Sequence, residues 1–373
     1  FQAGFNVVEE SSGIPTDAAV YVVAGAGISI DECKFVNTGG GGVLITGTSE
    51  NVNVVNSHFV EMGQSGVMMT GNKTTQPSKV LVAHNSMFGI GRFLASAGGI
   101  YGSSVSHSVF RHNRIEQSSR WGIAIRSEEQ ANATSVDNLV EFNKLKTLGQ
   151  STKDFGGLSF IGYFGVPDAD TTVRFNCVRE TIGVYSKISG GEPLVEYPYD
   201  SYGLYLDNEA SGYYVTGNII AKTLQSGIFV HLGRHNRIDN NIFAFSSTYQ
   251  IDAKGSSGWT VNNSFLHNIV IYRASSDGQL IYSSNFKNKY FSPVDWNTYY
   301  NLNSTFEKSF LENGDLTPKG NWSTWRNDGF DAHSVVADPL FMDALRGDFR
   351  LRDNSPAFDL GFNALPDSVS ICD

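Results

Sequence analysis

The feature that most constrains this chain is a pair of short phrases that keep returning. The first places Asn in a strand-like stretch with an apolar residue two positions later. It occurs as "LVAHNSM" (Asn85), "FRHNRI" (Asn113), "VEFNKL" (Asn143), "VRFNCV" (Asn176), "VTGNII" (Asn218), "IDNNIF" (Asn241) and "FLHNIV" (Asn268). The second is Gly followed by apolar residues at its first and third places: "GVLI" at Gly42, "GVMM" at Gly66, "GIYG" at Gly99, "GIAI" at Gly122, "GLSF" at Gly157, "GLYL" at Gly203 and "GIFV" at Gly227. Period-two alternation specifies strand, and helical periodicity is nearly absent. Successive glycines lie 24, 33, 23, 35, 46 and 24 residues apart. The short spacings suit one coil of a parallel β-helix, and the long ones are the same coil carrying a loop. A β-propeller needs more regular blades, and a doubly wound α/β fold needs amphipathic helices.

In such a solenoid like positions stack at strand spacing, about 4.8 Å. The asparagines then form a turn ladder, each amide bonding its neighbours above and below, with Asn tolerating left-handed backbone. They are not read as ligands. The residues first and third after each glycine point inward, and the second and fourth point outward. The fourth places run Thr46, Thr70, Ser103, Arg126, Ile161, Asp207 and His231, and the second places run Leu44, Met68, Tyr101, Ala124, Ser159, Tyr205 and Phe229. The offset from Asn241 adds Lys254 and Asp252 to these columns. Arg126, Tyr205, Asp207, His231, Asp252 and Lys254 are therefore expected on one exposed face within a few rungs. Taken singly, each is a solvated surface residue; together, beside the longest loop, they suggest a site.

The expected architecture is all-β: one parallel β-helix over 1–373, with regular coils to about 281 and loop-rich coils and a cap over 282–373. The largest excursion, between Gly157 and Gly203, contains "YSKISGGEPLVEYPYD", and loops of this length are often functional. The region from Tyr282 to Ala337, rich in Trp, Tyr and Phe, is expected to cap the solenoid or fold back along it.

Charge narrows the partners. The formal net charge is -10 and charged residues make up 17% of the chain. Nucleic acid, whose phosphates need a basic surface, is excluded as a partner, and a polyanionic substrate is disfavoured. No apolar run reaches membrane-spanning length. Cys33, Cys177 and Cys372 lack zinc spacing, and one must stay unpaired within the chain. The abrupt opening "FQAGFNVVEE" reads as a mature or trimmed start. Sequons at Asn72, Asn132, Asn262, Asn303 and Asn321 permit a secreted glycoprotein.

Paired carboxylates on a sheet face suit cleavage of a glycosidic bond. One protonates the leaving oxygen, and the other is nucleophile or activates water. The acid candidates are Asp154, Asp200, Asp207 and Glu209. Asp154 precedes "FGGLSF", Asp200 stands at the mouth of the next strand and Asp207 at its far end. The plain reading of Glu209 is a residue that binds a turn amide or a cation. Asp207 is expected to stack on His231, a pairing that serves acid/base chemistry or an ordinary ion pair. Arg234 and His235 follow His231 in "HLGRHNRIDNNIF" and suit sugar hydroxyls, a carboxylate or simple turn capping. Tyr205 and other aromatic residues suit stacking on sugar faces. A histidine–carboxylate set also binds metals, but this spacing is not diagnostic.

"GLYLDNEASGYYVTGNII" followed by "HLGRHNRIDNNIF" resembles the secreted right-handed parallel β-helix proteins of the pectate-lyase-like superfamily. Most similar are glycoside-hydrolase-like members with a phrase such as G-I-Y-L-D-D-x-x-S-G. The tail phrases "WRNDGFDAHSVVADPLF" and "GDFRLRDNSPAFDLGF" agree, so the resemblance spans about Cys33 to Phe362. It implies a right-handed coil, a secreted protein and carbohydrate chemistry, with Asp154, Asp207 and the His231–Arg234 turn as site elements. The chain departs from that pattern at Asn208, where a second Asp is common, and at "GGLSF", which replaces the usual G-G-A-I-Y. In the tail, Asp331, His333 and Asp338 are expected to tie the last coil by turn bonds.

The leading expectation is a secreted enzyme that hydrolyses a polysaccharide or oligosaccharide, with no cofactor required. The first alternative is a catalytically silent glycan-binding or structural extracellular protein, with self-association through terminal coils. The second is a polysaccharide lyase, which would use Arg126, Arg234 or Lys254 as base with calcium beside a uronate.

Overall fold

The computed structural model describes residues 17–127, 133–163, 168–189, 192–197, 199–255, 259–273, 279–283, 290–303, 312–313 and 322–372. Three parallel sheets of 11, 10 and 11 strands run along one axis, and each coil contributes one strand to each sheet in turn. The first sheet holds the glycine phrases. Its inward column Val43, Val67, Ile100, Ile123, Leu158, Leu204, Ile228 and Ile251 stacks in continuous register. These side chains meet inward residues of the second sheet, such as Val82 and Phe110, and of the third, such as Ile115 and Ile220, in one dry core. Coils continue past residue 281, through strands Phe291–Asp295 and Thr298–Asn301.

The glycine phrase has a local slip. A Cβ on Gly203 would collide with Ile220, an inward residue of the third sheet, so the glycine itself faces the core. The next residue, Leu204, also faces the core. The residue before the glycine therefore points outward, as Tyr202 does. Strict alternation counted from the glycine misses this third outward column.

The asparagine ladder forms as expected. The Oδ1 of Asn176 accepts from the Asn143 backbone N–H at 3.0 Å and from Asn143 Nδ2 at 2.9 Å. Asn176 in turn donates through Nδ2 to Asn218 Oδ1 and to the Val140 carbonyl, both at 2.9 Å. The pattern runs from Asn85 to Asn297. It ends on Asp331, which accepts from Asn297, Ser334, Trp325 and Tyr299. Asp331 is thus the structural tie expected in the tail. His333 and Asp338 serve separate turns, on Asp295 and on the Leu340 N–H.

One expectation is corrected here. The left-handed residue of each turn is the one before the asparagine: His84, His112, Phe142, Phe175, Asn240, His267 and Trp296 all have φ near +55°. The asparagine keeps ordinary backbone geometry and uses its amide for the ladder. Its predecessor adopts the unfavourable conformation, at a cost of about 1–2 kcal/mol.

The C-terminal segment folds back along the outside of the third sheet. Phe349, Ala357, Phe362, Leu365 and Val369 cover the outward residues Ile219, Ala221, Ile242, Ala244 and Ile269. Asn363 and Asn240 exchange two hydrogen bonds, and Cys372 is disulfide-bonded to Cys177 across 195 positions. Cys33 remains free. The fold-back thus lies on a different sheet from the acids; of the aromatic region expected to cap the solenoid or fold back along it, Trp325 and Phe330 pack into the main core instead.

Candidate functional site

The candidate residues lie on the outer face of the first sheet. Ser103, Arg126, Ile161 and Asp207 are in consecutive register, and His231 pairs with Lys254 as Phe229 pairs with Asp252. His231 Nδ1 lies 2.8 Å from Asp207 Oδ1, one coil away. The Asn208 backbone N–H donates to the same Oδ1 at 2.8 Å, and the Tyr205 hydroxyl is bonded to the same carboxylate. An ionised carboxylate only accepts, and it matches this set of donors. In the tautomer with the proton on Nδ1, His231 donates to this carboxylate, and Nε2 is the ring's acceptor nitrogen.

Three of the six residues expected on an exposed face are buried, while Arg126 and His231 are half-buried and Lys254 is exposed. Asp207 is 9%, Tyr205 4% and Asp252 3% accessible. The reason is aromatic packing over the sheet. Tyr202, Tyr205 and Phe229 form a separate buried cluster, with ring centroids 4.7–4.9 Å apart. Phe229 also stacks on the His231 imidazole at 5.3 Å. Rings on neighbouring rungs are wide enough to shield one another and the acids between them.

Burial has an electrostatic consequence. Asp252 is pushed from 3.8 up to about 8, chiefly because burial disfavours its charge, and the nearby Asp200 adds to the rise; the Ala253 N–H and Lys254 oppose it. Asp252 therefore carries its proton at neutral pH. Asp200 is also raised by burial, against the pull of Lys153 and a hydrogen bond from Gln225. The Tyr202 hydroxyl feels Asp252, Asp200, Asp154 and Asp207, and burial plus these charges push its ionisation far upward. Four carboxyl groups thus converge electrically on one tyrosine.

Asp154 and Asp200 occupy equivalent places on consecutive coils, just before their first-sheet strands, and both are left-handed. Both are partly accessible, unlike Asp207 and Asp252, so this is the more open end of the face. Lys153 stands beside them, its Nζ 4.1 Å over the Tyr185 ring. Arg126 lies two rungs before Asp207, partly buried, and Lys254 is exposed. Glu209 is a left-handed turn residue whose N–H donates to the His231 carbonyl at 3.2 Å.

Arg234 and His235 gather around a residue that was not anticipated. Asp168 lies 2.7 Å from His235 Nδ1 and 3.4 Å from Arg234 Nε. The Arg234 guanidinium also lies 3.8 Å over the Trp259 ring. Nothing in "VPDAD" marks Asp168 beforehand. Tyr202 was readable in principle from the residue before the glycine. Among the described residues, no group of three or more His, Cys, Asp and Glu is arranged to hold a metal ion.

Solved structures with similar backbones include a mutant of the periplasmic alginate epimerase AlgG, at 13% identity and TM-score 0.45, covering 79% of this chain and 69% of that one. The siphovirus 9NA tailspike receptor binding domain matches at 13% identity and TM-score 0.49, covering 82% and 53%. The catalytic unit of a GH87 alpha-1,3-glucanase from Streptomyces thermodiastaticus matches at 13% identity and TM-score 0.41, covering 82% and 53%. Comparison with curated proteins returned no match. The family model described as "Right handed beta helix region" matches residues 6–165 and 202–324, well over half of the chain. With three stacked parallel sheets and that match, the chain belongs to the right-handed β-helix family.

Proposed function

We propose that the protein hydrolyses glycosidic bonds of a polysaccharide or oligosaccharide on the outer face of the first sheet. The observation that carries this reading is the pair of unlike acids around one aromatic cluster. Asp252 keeps its proton at neutral pH, while Asp207 accepts from His231, Tyr205 and Asn208. A carboxyl group that keeps its proton beside one that gathers hydrogen-bond donors suits acid and base roles. In this reading Asp252 gives a proton to the leaving oxygen, and Asp207, oriented by His231, is the base or nucleophile. Tyr202 and Tyr205 provide apolar ring surface for a sugar. Asp154 and Asp200, at the more open end, bind hydroxyls, with Asp200 the second candidate proton donor. Arg126 and Lys254, in the columns of the same sheet, are the candidate binding cations, and Glu209, Arg234 and His235 stand in the adjoining turns. The high density of carboxyl groups favours a neutral glycan.

The reading includes a secreted or periplasmic location. The Cys177–Cys372 disulfide supports it, since such bonds persist in oxidising compartments. Asn72, Asn262 and Asn303 are exposed and available to a glycosylation machinery. No described helix is long and apolar enough to cross a membrane.

A silent glycan-binding protein is the second reading, favoured by the low accessibility of Asp207, Asp252 and Tyr205. A polysaccharide digestion panel with wild type and Asp207→Asn separates the two. Hydrolysis predicts release of reducing ends by wild type, loss of turnover in the variant and retained binding. Binding without release by wild type on every glycan that it binds supports the silent reading.

A further inference from the structure

On the opposite side of the molecule, the turns between the second and third sheets stack four rings. His84 and His112 are 4.8 Å apart and within 7° of parallel; His112 and Phe142 are 5.1 Å apart, and Phe142 and Phe175 again 5.1 Å. These rings form one ribbed wall of a cavity of about 440 Å³. The opposite wall is Ser368 and Val369 of the C-terminal segment. Gly217 occupies the next place in the ring column, and Leu365 lies beside it, closing that end.

Two permanent cations, Arg114 and Lys144, border the cavity together with the two imidazoles, and among the described lining residues none is Asp or Glu. This is unusual in a chain of net charge -10. Lys144 Nζ lies 3.4 Å from the Ile371 carbonyl of the tail, and Arg114 is paired with Glu116 at 2.6 Å. The groups acting on His112 are His84, Arg111 and Glu141, and Glu141 is itself tied to Arg174 at 2.8 Å. On the tail, Asp367 adjoins Ser368 and acts on Arg350. Burial, His84 and Arg111 together hold the His112 imidazole below its usual range. A bound anion would reverse that effect.

We propose that this cavity is a second binding site, for a carboxylate-bearing ligand with a flat body, either an acidic sugar or an aromatic acid. The Lys144 ammonium and the His112 imidazole receive the carboxylate, and the ring edges take the body. An inorganic anion is too small for this volume and makes no use of the apolar wall. The volume falls in the range of ordinary small-molecule sites, about 300–1,000 Å³. The acid cluster of the first sheet is a separate place with the opposite charge preference, so this inference does not depend on the hydrolase reading.

The test is a titration followed by the His112 Cε1–H resonance, assigned with His112→Phe, which keeps a ring in the stack. The probes are glucuronate and benzoate, each against its neutral counterpart, glucose and benzamide. The proposal expects at least one acid to bind ten or more times tighter than its neutral counterpart. It also expects the His112 pKa to rise on binding, and affinity to strengthen as pH falls through that titration. Lys144→Met, which keeps the apolar stem, is expected to weaken binding at least tenfold with an unchanged melting temperature. A preference for glucuronate assigns an acidic sugar, and a preference for benzoate assigns an aromatic acid. The proposal is overturned if neither acid outcompetes its neutral counterpart, or if both Lys144→Met and His112→Phe bind like wild type.

Discussion

His231 and Asp207 are 24 residues apart in sequence, yet their side chains meet at 2.8 Å because one coil of the solenoid separates them. The contact is a direct product of register: Leu206 pairs with Val230 in the parallel ladder, and the next residues on each strand are the acid and the imidazole. Each side chain alone is unremarkable. The ladder turns two such residues into one unit.

The protonation of Asp252 makes stability depend on pH. Its folded pKa of about 8 lies above the unfolded 3.8, so the folded state binds the extra proton between those values. Stability from this group is complete below pH 4 and is lost as pH rises toward 8, with a slope of about 1.4 kcal/mol per pH unit at most. Asp252→Asn imitates the protonated acid and cannot ionise. Urea unfolding at pH 5 and pH 8 is expected to show a smaller alkaline loss in the variant, and a variant more stable than wild type at pH 8. Equal pH dependence in the two proteins would contradict the assignment.

The asparagine ladder has a sharp energetic consequence. Asn176→Ala removes the acceptor of the buried Asn143 backbone N–H and side-chain amide, and takes a donor from the Val140 carbonyl and one of two donors from Asn218 Oδ1, which keeps the residue 176 backbone N–H. Each buried group left unpaired costs about 1–3 kcal/mol. The expected loss is at least about 3 kcal/mol, read as a lower urea midpoint. A loss below about 1 kcal/mol would mean that the ladder is not carrying these bonds.

The tail is expected to protect the third sheet. Cys372→Ser removes a cross-link of a kind worth about 2–5 kcal/mol in native proteins. It also loosens the segment that covers Ile219, Ile242 and Ile269. The variant is expected to unfold at lower denaturant and to bind a hydrophobic dye before the main transition. Coincident dye binding and unfolding in the variant would show that the tail is held by packing alone.

Much of this architecture was legible because a solenoid converts sequence period into spatial neighbours. The glycine phrases predict the column Arg126, Ile161, Asp207, and the offset from Asn241 places Asp252 and Lys254 correctly beside Phe229 and His231. Accessibility was not legible. It depends on how Tyr202, Tyr205 and Phe229 pack laterally, and the slip at the glycine hid Tyr202 from a strict two-residue count. Asp168 was missed because it comes from a loop outside the repeat, where no period fixes its neighbours. The return of the tail onto Cys177 likewise depends on contacts nearly 200 residues apart.

The central claim is that Asp252 and Asp207 act as acid and base on one glycan. The most direct measurement is kcat/KM against pH for reducing-end release, on whichever glycan of the panel is cleaved fastest, by wild type, Asp252→Asn and Asp207→Asn. The account predicts that wild-type activity falls as pH rises through about 8, where Asp252 loses its proton. It predicts that Asp252→Asn loses that alkaline limb along with at least a hundredfold of its rate, and that Asp207→Asn is inactive while still binding. Variants that cleave at wild-type rates with an unchanged pH profile would contradict it.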